Sequence, residues 1–251
     1  MKTILHLFAI IALICACMPR VAAVGQENIP YFDKDSARTA DSLIRLLSAV
    51  DSAMRYVNLT AADFDRVAKQ LDVEVAAIKA VVDIEAGKEH KGFIAPGQAL
   101  INFDLSIFKS LMRKNGISTS KYTKSHSVVF ARPNIKKYGS YGKAQYARLN
   151  SAKTINRAIA LESCFWGMFQ IGGFNWRLCG CRSVDDYVDL INESESMQLE
   201  LFARFITNNG LVKHLRNKNW SAFARGYNGP SYAKRGYHTR LANRYKYHLT
   251  H

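Results

Sequence analysis

Glu85 closes the stretch Asp72-Val-Glu-Val-Ala-Ala-Ile-Lys-Ala-Val-Val-Asp-Ile-Glu-Ala-Gly87. Ile78, Val81 and Val82 stand seven, four and three residues before it, so all four share one helix face. Gly87 is a natural helix stop and places Glu85 in the last turn. Desolvation by the apolar face and the negative end of the helix dipole both raise the pKa of such a carboxyl. A carboxyl kept protonated near neutral pH is what the general acid of glycoside cleavage requires. A solvated glutamate at a helix end has the same signature, so the residues that accompany Glu85 decide between the two.

Two further patches fit one site with it, Trp166-Gly-Met-Phe-Gln-Ile171 and Gly226-Tyr-Asn-Gly-Pro230. Glycan chains are gripped by aromatic faces and by amides that both donate and accept hydrogen bonds. Trp166, Gln170, Tyr227 and Asn228 are of these types, and Phe169 and Tyr232 add aromatic surface. The neighbouring glycines permit close backbone approach. Taken singly, rings such as Trp166 and Phe169 are more often core, and Asn228-Gly229 more often a plain turn. Asp104 and Glu162 are the candidate second carboxylates. An inverting glycosidase holds the pair roughly 6.5–9.5 Å apart, and a covalent retaining one about 5–5.5 Å. Either residue also reads as structural, Glu162 by closing its helix through hydrogen bonds.

The elements that must position these groups follow from periodicity. Leu43, Leu47, Val50, Met54 and Val57 give an amphipathic helix within 35–57. Thr60 with Asp63 forms a capping signal for a helix whose buried side carries Phe64, Val67, Ala68 and Leu71. The Glu85 helix follows after almost no loop. Residues 92–104 hold a Pro-Gly turn between short apolar runs and predict a small hairpin. Leu105 to Asn115 is helical and stops at Gly116, and 117–140 is a basic surface excursion. Helices are expected at 143–162, from Ser183 to Asn209, as two short pieces in 211–227, and at 232–248. The fold class is mainly α with one hairpin.

The composition is globular, with 48% hydrophobic residues, and 251 residues suffice for a substantial core. A formal charge of +15 and a pI near 9.7 ask for a polyanionic partner: nucleic acid, an anionic membrane or a bacterial wall. Met1-Lys2-Thr3 and the apolar run Ile4 to Cys17 have the form of an export signal, too short to span a membrane. Val21-Ala22-Ala23 suits cleavage after 23, and Ile14-Cys15-Ala16-Cys17 suits a lipoprotein signal with Cys17 lipidated. Export to the cell envelope weighs against nucleic acid. Cys164, Cys179 and Cys181 lack zinc spacing, and at most one of the last two bridges to Cys164. His90, His126, His214 and His238 have no spaced partners. No metal or organic cofactor is expected.

Together the motifs resemble the three-part pattern of goose-type lysozymes and soluble lytic transglycosylases. They are more similar still to the N-acetylmuramidase family of phage endolysins and bacterial genomes. The stretches that carry the likeness stand at 73–81, 160–163, 166–171 and 222–230, and the resemblance covers about 58–248. It implies a lysozyme-like helical domain, set at 58–251, and the residues before it divide into the signal at 1–23 and a linker with its helix at 24–57. It further implies cleavage of the MurNAc–GlcNAc β-1,4 bond in peptidoglycan glycan strands, with Glu85 as catalytic acid. The chain is expected to act as a monomer. Two positions depart from the family: Glu85-Ala86-Gly87 stands for Glu-Ser-Gly, and Phe103-Asp104 for Phe-Glu. The first leaves open a groove that binds glycan without turnover, and the second puts a carboxylate role for the shorter Asp104 in question.

Overall fold

A computed structural model describes residues 42–43, 59–86, 91–131 and 142–251. The chain divides into a unit at 1–45 and one at 46–251. In the first, Ser42 and Leu43 are helical and Leu43 is exposed. The expected signal, the rest of the amphipathic helix, Gly87, His90 and the 132–140 part of the basic excursion lie outside the described residues.

The second unit opens with α1 (Ala61–Leu71), held by the full capping box that Thr60 and Asp63 announce. Asp72, in the left-handed region, turns the chain into α2 (Val75–Glu85). That helix is apolar nearly all round, with Ala76, Ala77, Ile78, Ala80, Val81 and Val82 buried. A helix of this composition is stable only inside a protein, and Glu85 is its final residue.

The hairpin forms as expected, β1 (Phe93–Ala95) with β2 (Gln98–Ala99), its turn set by Gly97 at φ +62°. A second sheet was not legible in the sequence. β3 (Ile101–Phe103) pairs antiparallel with β4 (Cys164–Trp166), which pairs with β5 (Ile171–Gly172). Strands of two or three residues lie below the length at which alternation can be read.

The helices between are α3 (Leu105–Lys114), α4 (Ser127–Phe130), α5 (Lys143–Lys153) and α6 (Arg157–Glu162). The expected helix over 143–162 is thus two pieces, because Asn156 caps a fresh start by accepting from the Ile159 amide at 3.0 Å. The helix expected from Ser183 to Asn209 is likewise two. α7 (Val184–Ile191) is capped by Ser183, and α8 (Glu195–Asn208) by Ser194. The basic excursion is not all surface: Val129 on α4 is buried.

α9 (Val212–Arg216), α10 (Trp220–Asn228) and α11 (Tyr237–Thr250) complete the unit. α11 lies along α2 in the most extensive helix–helix packing among the described residues. Arg244 Nε and Nη2 converge there on Asp83 Oδ2, with His248 Nε2 2.7 Å from the same oxygen. The core runs through Ile78, Phe103, Trp166, Phe202 and Phe223.

Candidate active site

The centre of the site is Glu85, on the last turn of a helix whose apolar flank points inward. Its carboxyl keeps a partial opening to solvent, yet protein surrounds it closely enough that burial pushes its pKa up to about 7. Two groups temper that rise. The Asn228 amide donates to Glu85 Oε1 at 3.1 Å, and the Arg240 charge favours the ionised form.

Asn228 ends α10, and Tyr227 beside it fixes the strand side of the site. The Tyr227 hydroxyl donates to the Phe169 carbonyl at 2.8 Å, and its ring stacks on Phe223. Burial, then the neighbouring Glu85 carboxylate, hold this phenol well above its usual pKa. Tyr227 is therefore a fixed neutral donor near neutral pH.

Gln170 follows Phe169 directly, in the left-handed region at φ +47°. Its side-chain amide donates to the Gly167 carbonyl at 2.8 Å. A non-glycine residue held there costs on the order of 1 kcal/mol, and such strain clusters at functional positions. Gly167 itself sits at φ +67°, and a Cβ on it would lie 2.7 Å from Gln198 Oε1. Glycine is the residue that fits.

The structure thus brings Glu85, Gln170, Tyr227 and Asn228 into one chain of contacts. It does not do so for every residue singled out in the sequence. Trp166 is 1% exposed and donates its indole N–H to the Leu161 carbonyl at 3.0 Å. Phe169 is 3% exposed and stacks on Phe202 with centroids 4.5 Å apart. Neither presents a ring face to a sugar, so the expectation of direct glycan contact is corrected: both are packing residues under the site. Tyr232 is half-buried and meets His238 edge to face.

The two candidate second carboxylates lie at one end of the β3–β4 pair, where the Asp104 amide donates to the Ser163 carbonyl at 2.8 Å. Asp104 caps α3, its Oδ1 accepting from the amides of Ser106 and Ile107 at 2.7 and 2.9 Å. Glu162 accepts the Trp176 indole N–H on Oε1 at 3.0 Å. Each keeps one oxygen without a donor among the described residues.

Sequence reasoning missed three contributors. Arg240 and the Asp83–Arg244–His248 cluster were readable from the spacing of Arg240, Leu241, Arg244 and His248 on one face of α11. Gln198 was not, being a polar residue inside an apolar run. It is fully buried, accepts from the Met168 amide at 2.8 Å, and donates to the carbonyls of Gly92 and Ile191. It ties the hairpin base to the Gly167 loop. Cys164, Cys179 and Cys181 are free buried thiols, and burial pushes Cys179 up to about 12 and Cys181 to about 11. None is a nucleophile near neutral pH.

Comparison with known proteins gives the family. The sequence pattern of the family described as N-acetylmuramidase matches residues 74–249. Among solved structures, the crystal structure of the Burkholderia AP3 phage endolysin superposes with a TM-score of 0.64 at 34% identity. The match covers 77% of this chain and 71% of that one. No curated protein matches. The matched span runs from the start of the Glu85 helix through α11 and takes in every contributor to the site, and the chain belongs to the N-acetylmuramidase family of peptidoglycan-cleaving enzymes.

Proposed function

We propose that this protein hydrolyses the β-1,4 bond between N-acetylmuramic acid and N-acetylglucosamine in peptidoglycan, with Glu85 as the general acid. The observation that carries the proposal is the carboxyl at the end of a buried helix with its pKa raised to about 7. About half of it then holds a proton at neutral pH, which suits a donor to the glycosidic oxygen. The Asn228 amide occupies Oε1 and leaves Oε2 to carry that proton. Gln170, Tyr227 and Asn228 position the glycan, and Tyr232 borders them. Water attacks the anomeric carbon, held by the unengaged oxygen of Asp104 or Glu162. Export, by a cleaved signal or with a lipid on Cys17, completes the proposal because the substrate lies outside the cytosol.

A second reading has one observation in its favour. Asp104 and Glu162 are both engaged by protein donors, whereas a lytic transglycosylase needs no second carboxylate. There the sugar's own 6-hydroxyl attacks and closes a 1,6-anhydro ring. Digestion of purified peptidoglycan with mass analysis of the released fragments separates the two. Hydrolysis gives reducing MurNAc ends, and fragments lighter by one water mean the anhydro route. Binding to the polymer with no release across pH 4–8 would mark a glycan-binding protein without turnover.

A further inference from the structure

The charge of this protein is unevenly placed. Residues 105–161 contain twelve lysines and arginines and no aspartate or glutamate. The rest of the chain holds 23 cations against 20 acids, close to balance. The described part of this span is one piece of surface. The turn at Thr119–Lys121 packs on α3, and α4 packs on α5. Lys109 and Arg113, one helical turn apart, line an open cleft of about 420 Å³ with Ile117 and Ser118. Lys114, Lys121 and Lys124 follow, and all five are exposed.

None of the five has a carboxylate partner among the described residues, whereas several arginines elsewhere sit in ion pairs. Arg66 and Arg204 both meet Glu200, and Arg244 meets Asp83. Like charges one helical turn apart, as Lys109 and Arg113 are, repel even at physiological salt, where screening sets in over about 8 Å. A few acidic residues on the lobe would relieve that cost, and the sequence has none. Four of the five are lysines, compact point charges without the fork that matches one fixed anion. Serine, threonine and asparagine lie between them, and among the described residues of the lobe Val128 is the one exposed large hydrophobic. This suits a hydrated polymer of repeating anions better than insertion into a bilayer.

We infer that this lobe is a second contact with the wall. It docks the carboxylate-bearing peptide stems of peptidoglycan and keeps the enzyme on the polymer between cuts. The inference rests on the peptidoglycan reading above.

The test compares two surface variants in an E85Q background, so that bound wall is not digested. One is K109S/R113S/K121S/K124S, and the other, K69S/K213S/R225S/K246S, removes equal charge elsewhere. Each is cosedimented with sacculi stripped of phosphate polymers and with phosphatidylglycerol vesicles, at low and high salt. At low salt the lobe variant should bind sacculi roughly tenfold more weakly than the parent, the lower range for electrostatic attraction. The control should match the parent, and high salt should bring the parent down to the lobe variant. With Glu85 restored, the lobe variant should clear sacculi slowly yet cut short soluble fragments at the parent rate. Equal losses in both variants, or lobe-dependent binding to vesicles alone, would overturn the inference. Lobe-dependent binding to sacculi by a chain that cuts nothing would instead overturn the cleavage reading.

Discussion

The side-chain amide of Asn228 donates to Glu85 Oε1 at 3.1 Å, joining the last residues of two helices 143 positions apart in sequence. Burial alone would carry the acid higher, and this bond with the Arg240 charge brings it back to about 7. The proton is held firmly enough to be present and loosely enough to be given.

Replacing Glu85 with Gln removes the proton and keeps the shape. Release of soluble fragments from peptidoglycan should fall by at least ~10²–10⁴, with sedimentation on the polymer retained. A glutamine variant within tenfold of the parent rate would take Glu85 out of the mechanism.

The same substitution should raise stability in one pH window. A carboxyl with a folded pKa near 7 and an ordinary unfolded value of 4.5 opposes folding once ionised. The cost is absent below about pH 4.5, builds through pH 7, and reaches about 3 kcal/mol above it. Thermal melts should therefore show E85Q above the parent at pH 8 and level with it at pH 4. Coincident melts at both would mean that the carboxyl is solvated.

Asn228→Ala deletes a donor to the ionised form, so the Glu85 pKa should rise further. The loss of about 1 kcal/mol of hydrogen bonding corresponds to roughly 0.7 of a pH unit. The alkaline limb of the pH–rate profile should move upward by that order, even as the rate falls from poorer glycan positioning. An unmoved limb would assign Asn228 to the substrate alone.

Trp166→Ala should act through folding. Emptying a fully buried indole site costs about 3–5 kcal/mol, and the Leu161 carbonyl loses its donor. Denaturant midpoints should drop sharply, while KM of the remaining folded enzyme should change little. A stable variant with a raised KM would restore Trp166 to the glycan groove.

Asp83→Asn should loosen α11 from α2. Burial works against the Asp83 carboxylate, yet the His248 and Arg244 hydrogen bonds outweigh it and hold its pKa below the usual range. Its stabilisation is therefore present above about pH 4 and lost as pH falls further. Chemical denaturation should show a loss of about 1–3 kcal/mol at pH 7, shrinking as the pH is lowered past the carboxylate range.

Much of this was legible in the chain itself, for physical reasons. The Glu85 helix could be read because burial imposes an apolar period on Ile78, Val81 and Val82, and the Thr60–Asp63 box because a helix start needs specific oxygens. The breaks at Asn156 and Ser194 are hidden in the sequence because apolar spacing continues across a cap. Trp166 and Phe169 carry two readings because a buried ring and a sugar-stacking ring look the same in sequence. Only their exposure separates them. The partnership of Asn228 with Glu85 came from motif order, since no local rule links residues 143 apart.

The seating of α11 along α2 also sets a schedule for biosynthesis. A ribosome that has just added Glu85 must add 143 more residues before Asn228 exists, and 161 after Asp83 before Arg244 does. At roughly 5–20 residues per second, the first interval is ~7–30 s of translation. Throughout it the nascent α2 is a hydrophobic segment without its cover, bearing a carboxylate of ordinary acidity. A truncated product ending before α10 would be a target for chaperones and proteases rather than a partially active hydrolase.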